Sequence, residues 1–177
     1  MEAKTYPEYS IHYPLLITNF MKNPVRLYPN DIGVVYRDEA GRYHRFTWRQ
    51  WYERTCKLAH ALKALGVKSG EPGQPGNRVA AMALNHHQHL ELIYATVGIG
   101  AVSHPINIRL SRQHMAYTIN HAGDAIMFVD EMLLPVLDLL YDEIKGTVKQ
   151  FVLISDNPEK PRTRVQPLYS YEDLIRD

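Results

Sequence analysis

The chain has 177 residues, with 20 Lys and Arg against 19 Asp and Glu and a formal charge of +1, so no net field draws it to nucleic acid or to an anionic membrane. That length suits one domain around one hydrophobic core. A single cysteine, Cys56, excludes an intramolecular disulfide and fits a reducing cytoplasm. The opening MEAKTYPEYS carries no signal-peptide core, and no run reaches the ~18 apolar residues of a membrane span.

In chain order, the apolar patch at 13–17 reads as the start of a helix that docks on the core. Residues 32–36 and 43–46 form two β-rich runs around Asp38-Glu39-Ala40-Gly41, which predicts a hairpin. Thr47-Trp48-Arg49-Gln50 has the spacing of a capping box, in which the Thr hydroxyl and the Gln side chain satisfy free backbone N–H groups. The helix that follows should run to about Leu65, burying Trp51, Thr55, Leu58, Leu62 and Leu65, and Gly66 supplies a left-handed stop. Gly and Pro are too dense in 69–76 for helix or strand, and the loop lacks the Lys-Ser/Thr end of a phosphate-binding P-loop.

Beyond it the pattern turns regular. Strands are predicted at 79–84, 101–106, 125–129 and 150–154, alternating with helices at 87–97, 112–121 (with Ser111 as N-cap) and 133–144. Such alternation implies βαβ crossovers and an α/β fold: a mainly parallel sheet flanked by helices on both faces, after a β-hairpin and an N-terminal helix. Residues 155–167 read as a long exposed connection and 171–175 as a short helix. The domain division expected is 1–31 as a docking segment, 32–154 as the α/β core, and 155–177 as loop and short helix.

Ligands of open α/β sheets bind beyond the carboxyl ends of the strands, which singles out Asn85, His86 and His87 after one strand and Asn107 and Arg109 after another. Asn85 could equally cap its helix, leaving the histidines solvated, and Asn107 could hold its own turn through side-chain to backbone bonds. Arg109 offers a planar fork of donors to an anion, or could pin the neighbouring loop. His86 and His89 share a helix face, but no third ligand has suitable spacing, so no metal site is expected. Cys56, inside a predicted helix with no general base nearby, reads as packing. A receiver-like domain is excluded because no acidic pair follows the strand at 79–84.

Several landmarks fall in a fixed order: Thr47-Trp48, Leu62-x-x-Leu65-Gly66-Val67, Asn85, Gly100-Ala101-Val102, Asn107-Ile108-Arg109-Leu110, Tyr117, Asp130 and Tyr171-Glu172-Asp173. Over roughly residues 32–177 this order resembles the N-terminal region of AMP-forming acyl-CoA synthetases, most closely the branch acting on medium- and long-chain fatty acids. The insertion-like stretch 71–76 departs from the shorter Gly-Asp-Arg-Val usual in that family. The resemblance implies the first subdomain of the adenylate-forming fold, and a parent ligase using ATP, Mg²⁺ and CoA. There a fatty-acid carboxylate attacks the α-phosphorus of ATP, pyrophosphate leaves, and the CoA thiol displaces AMP. The family's phosphate loop ending in Pro-Lys-Gly, its downstream Glu and its C-terminal Lys do not occur in these 177 residues. The expectation is therefore a leading segment, inactive alone, with no catalytic residue and no bound cofactor of its own. By the resemblance the helix after Asn85 borders the acyl side of the cleft, so Asn85, His86 and His87 are substrate-binding candidates there. Asn107 and Arg109 are candidates by their place at the same edge, where the Arg109 fork could reach an anion such as a CoA phosphate or pair with a carboxylate outside these residues. A homodimer is expected too, with Tyr13, Leu15, Leu16 and Phe20 as contacts; the alternative function is a non-catalytic packing or dimerisation module.

Overall fold

The computed structural model describes residues 16–38, 41–157 and 161–176. Helix α1 (Thr18–Leu27) precedes the antiparallel hairpin of β1 (Ile32–Arg37) and β2 (Tyr43–Thr47). The expected helix at the N-terminal patch thus starts at Thr18; Met21 is its buried residue, while Leu16 and Phe20 are exposed and Tyr13 and Leu15 lie outside the described residues.

The capping box forms as its spacing predicts. Gln50 N–H donates to Thr47 Oγ1 at 3.2 Å and Thr47 N–H to Gln50 Oε1 at 2.9 Å, opening α2 (Trp48–Ala64). Trp51, Thr55, Leu58 and Leu62 are buried along one stripe, and Gly66 stops the helix at φ +88°. Leu65 is the correction: as C-cap it leaves the helical stripe and only leans on the core.

The remaining strands are β3 (Arg78–Met82), β4 (Val102–Pro105), β5 (Asp124–Asp130), β6 (Gln150–Ile154) and β7 (Leu168–Ser170), in the order β4-β3-β5-β6-β7 and all parallel. The crossovers carry α3 (His87–Gly98), α4 (Arg112–Ala122) and α5 (Leu134–Ile144), and α6 (Tyr171–Leu174) follows β7. Period-2 alternation sorts the strands between two cores. Ala80, Met82, Met127, Val129, Phe151 and Leu153 pack under α4 and α5, whereas Val79, Ala81, Ile126, Phe128, Val152 and Ile154 pack under α2, α3 and α6. Both faces are covered, as expected. Ser111 caps α4 by accepting from His114 N–H at 3.4 Å.

The segment read as connection and short helix also contains a strand, β7, which sequence reasoning missed. Three residues cannot display a period, and β7 exists because β6 offers it a free edge, Phe151 opposite Leu168 and Leu153 opposite Ser170. The loop at 69–76 is no loose excursion either. Gly70 N–H donates to Gly100 O at 2.9 Å, Glu71 and Gln74 exchange backbone bonds of 3.0 and 2.8 Å, and a Cβ on Gly76 would stand 2.6 Å from Gly100 O and 2.7 Å from Gly70 N. Those neighbours are backbone and cannot step aside. Gly76→Ala is therefore expected to lower stability by ~2 kcal/mol through overpacking, read as a lower urea midpoint at unchanged slope; an unchanged midpoint would mean that the loop relaxes freely.

Candidate functional site

A cleft of about 520 Å³ opens where the carboxyl ends of β3, β5 and β6 meet the hairpin. Tyr36, Arg37, Asp38 and Arg42 line one side, and Asn85, His86, Gln88, Asp130, Glu131 and Asp156 the other. The turn after β3 is fixed by Asp130, the last residue of β5. One carboxylate oxygen accepts Leu84 N–H at 2.6 Å and the other meets His86 Nε2 at 2.7 Å. His86 in turn caps α3, its Nδ1 accepting His89 N–H at 3.2 Å. An accepting Nδ1 leaves the ring proton on Nε2, where it donates to Asp130. Asp156 bridges the walls, accepting from Tyr36 Oη and from Gln88 Nε2, each at 3.2 Å. Burial, and then the Asp156 carboxylate, push the Tyr36 hydroxyl up to about 12, so it stays a donor. The hydrogen bond from His44, helped by the Arg42 amide, holds the Asp38 carboxyl well below the usual range. Ser155 Oγ donates to Glu131 at the far end. The cleft therefore sets fixed carboxylates beside the guanidinium groups of Arg37, which bonds Gly41 O at 3.2 Å, and Arg42, which bonds Asp38 at 2.8 Å.

Behind the cleft His87 is 4% exposed, stacked across the neighbouring rings of Tyr36 and Phe46 with centroids 4.5 and 4.6 Å away. Burial, then the neighbouring Arg54 charge, depress its imidazole to about 3, so it packs as a neutral ring. One turn on, Glu91 is fully buried. Arg54 Nε donates to its Oε1 at 2.8 Å and Tyr171 Oη to its Oε2 at 2.6 Å, while the other two nitrogens of Arg54 grip Glu172 at 2.7 and 3.0 Å. Burial pushes the Glu91 carboxyl up against the pull of these donors. This network joins α2, α3 and α6, and Arg54 also lies 5.7 Å over the Phe46 ring, so the hairpin is tied in as well.

Of the sequence candidates, Asn85 and His86 reach the cleft. The cap of α3 is His86, not Asn85, because the imidazole Nδ1 already satisfies the His89 amide. His87 is not solvated but closed in the aromatic stack. Asn107 and Arg109 lie past β4 on the same carboxyl edge but outside that cleft. Asn107 Oδ1 accepts Arg109 N–H at 3.0 Å, an Asx turn that leaves the exposed Arg109 on the surface. Sequence reasoning missed Tyr36, Asp130 and Asp156 as site groups; the one available signal was Asp130-Glu131 directly after an apolar strand. Another polar pair sits apart from the cleft, where His104 Nδ1 reaches across β3 to the buried Asp124 at 2.8 Å.

The loop at 69–76 does not fit ATP phosphates. The Gly70, Glu71, Gln74 and Asn77 amides are spent on the chain's own carbonyls, so too few N–H groups remain for a phosphate cradle. Among the described residues no three His, Cys, Asp or Glu side chains cluster to hold a metal ion, and no helix is long and apolar enough to cross a membrane.

This chain is similar to the long-chain-fatty-acid–CoA ligase of Thermus thermophilus (36% identity, covering 97% of this chain and 30% of that protein). It is also similar to the medium-chain-fatty-acid–CoA ligase of Ectopseudomonas oleovorans (34%, covering 91% and 28%). It thus spans under a third of the relatives it matches. In fold it matches the anthranilate CoA ligase AuaEII (TM-score 0.75, 19% identity, covering 93% of this chain and 29% of that one). Acetoacetyl-CoA synthetase from Streptomyces lividans gives a TM-score of 0.76 at 17% identity, covering 90% and 25%. The AMP-binding enzyme family matches residues 21–173, nearly every residue that builds the two cores and the cleft, and the chain belongs to that family.

Proposed function

We propose that these residues are the leading subdomain of an ATP-dependent fatty-acid–CoA ligase that forms an acyl-adenylate and then an acyl-CoA. The observation that carries this is the likeness, along almost the whole chain, to ligases named for medium- and long-chain fatty acids. The segment supplies wall rather than chemistry. Asn85 and His86 stand at the lip of the cleft, on the acyl side in this reading, and the exposed guanidinium of Arg109 is free to fork onto a CoA phosphate. ATP and Mg²⁺ bind elsewhere in the parent enzyme, since the glycine loop here is closed on itself. A cytoplasmic setting accords with the free, half-buried Cys56.

Exchange of pyrophosphate into ATP, driven by fatty acids of graded length, tests this. The full-length protein is expected to turn over with medium or long chains and the 177-residue chain to give none. Turnover by the chain alone would defeat the wall assignment, and full-length activity restricted to short or aromatic acids would defeat the fatty-acid assignment. A second reading, an association module, is favoured by the exposed Leu16, Phe20, Leu27 and Tyr28 around α1, since contiguous apolar surface tends to find a partner. A homodimer through this helix should appear in light scattering at micromolar concentration; a monomer would remove it.

A further inference from the structure

We infer that His86 is an acid-sensitive latch: taking up a proton releases the first turn of α3 and with it the hairpin wall of the cleft, whatever the cleft binds. The ring has one bond to each side of a joint. Nδ1 accepts His89 N–H at 3.2 Å, and Nε2 faces Asp130 Oδ1 at 2.7 Å. Both nitrogens are committed, so a second proton has one place to go, and there it turns the capping acceptor into a donor aimed at another donor. Protonation strengthens the strand side, where Asp130 also holds Leu84 N–H at 2.6 Å, and breaks the helix side. It also sets a positive charge at a helix N-terminus, where the dipole opposes it.

The surroundings decide which side moves. Asp130 on β5 faces the ring as an anion partner, while His87 and His89 on α3 each stand with ring centroids 6.4 Å away. Across the cleft, Glu131 and Asp156 oppose Arg37 and Arg42. Asp130 is 6% exposed at the end of a central strand, whereas the freed turn of α3 carries His87, which packs on Tyr36 and Phe46 of the hairpin, and Gln88, which bonds Asp156, the acceptor of Tyr36 Oη. The strand stays and the helix start lets go.

Backbone amide exchange of the 177-residue chain, corrected for the intrinsic pH dependence of exchange, tests this between about pH 7.5 and 5.5. The His89 and Leu90 amides are expected to open about fivefold more at the lower pH, the size of a lost N-cap, with β5 amides as the reference for global unfolding. His86→Asn, which caps without titrating, should abolish the difference, and His87→Phe should keep it. Equal protection at both pH values, or a difference that survives His86→Asn, overturns the latch. Should His86→Asn fold poorly, nitrogen NMR of the wild-type ring decides: protonation of Nδ1 must coincide with loss of protection at His89, and protonation without that loss overturns the inference equally.

Discussion

Arg54→Met is expected to destabilise the chain by about 3–5 kcal/mol at neutral pH, the usual result of removing one partner from a buried ion pair. The loss comes from Glu91. Its carboxylate is fully buried with Arg54 Nε at 2.8 Å and Tyr171 Oη at 2.6 Å, and without the guanidinium a single phenol is left to face the charge. The other partner of Arg54, Glu172, is 40% exposed, and water replaces much of that half. The sign with pH follows from burial. The folded carboxyl titrates above its unfolded value, and more so without Arg54, so the folded variant binds the extra proton. Its deficit should shrink as pH falls toward the unfolded carboxylate range near ~4.3 and grow as pH rises through the raised folded value. Urea denaturation of wild type, Arg54→Met and Arg54→Met/Glu91→Gln at about pH 5 and 7.5 tests both. The double variant should recover much of the loss at the higher pH. A single-variant cost under about 1 kcal/mol there would show that Glu91 finds water or another partner.

The second large effect belongs to His87. Its ring is held neutral to about 3 when folded, while an unfolded histidine titrates near ~6.5. Between those values the unfolded chain holds the extra proton, so this contribution is complete above about pH 6.5 and is lost as pH falls toward 3. At about pH 4.5 the loss should reach ~2–3 kcal/mol, at 1.36 kcal/mol per pKa unit. His87→Phe keeps a ring against Tyr36 and Phe46, removes the titration, and removes a buried Nδ1 that has no hydrogen-bond partner. Glu91 titrates with the opposite sign over part of the same range, so the decisive quantity is the difference between wild type and variant. Stability curves that run parallel from pH 7.5 to about 4.5 would sink the assignment.

What the sequence determined by itself was local. The box from Thr47 to Gln50, the stop at Gly66, the cap at Ser111 and the alternation that splits Val79 and Ala81 from Ala80 and Met82 each depend on residues within a turn or two. Summed, they dictate helices on both sides of a parallel sheet, and with the landmark order they placed the chain in its family. The tertiary structure decided whatever joins distant residues. Strand β7 forms on an edge that β6 provides, Arg54 meets Glu91 across 37 residues and Glu172 across 118, and His86 displaces Asn85 as the cap because Asp130, 44 residues on, orients its ring. A cap is a competition between neighbouring acceptors, and the winner is set by the partner on the far side of the ring. That partner lies on another strand, so no window of sequence around Asn85 contains it.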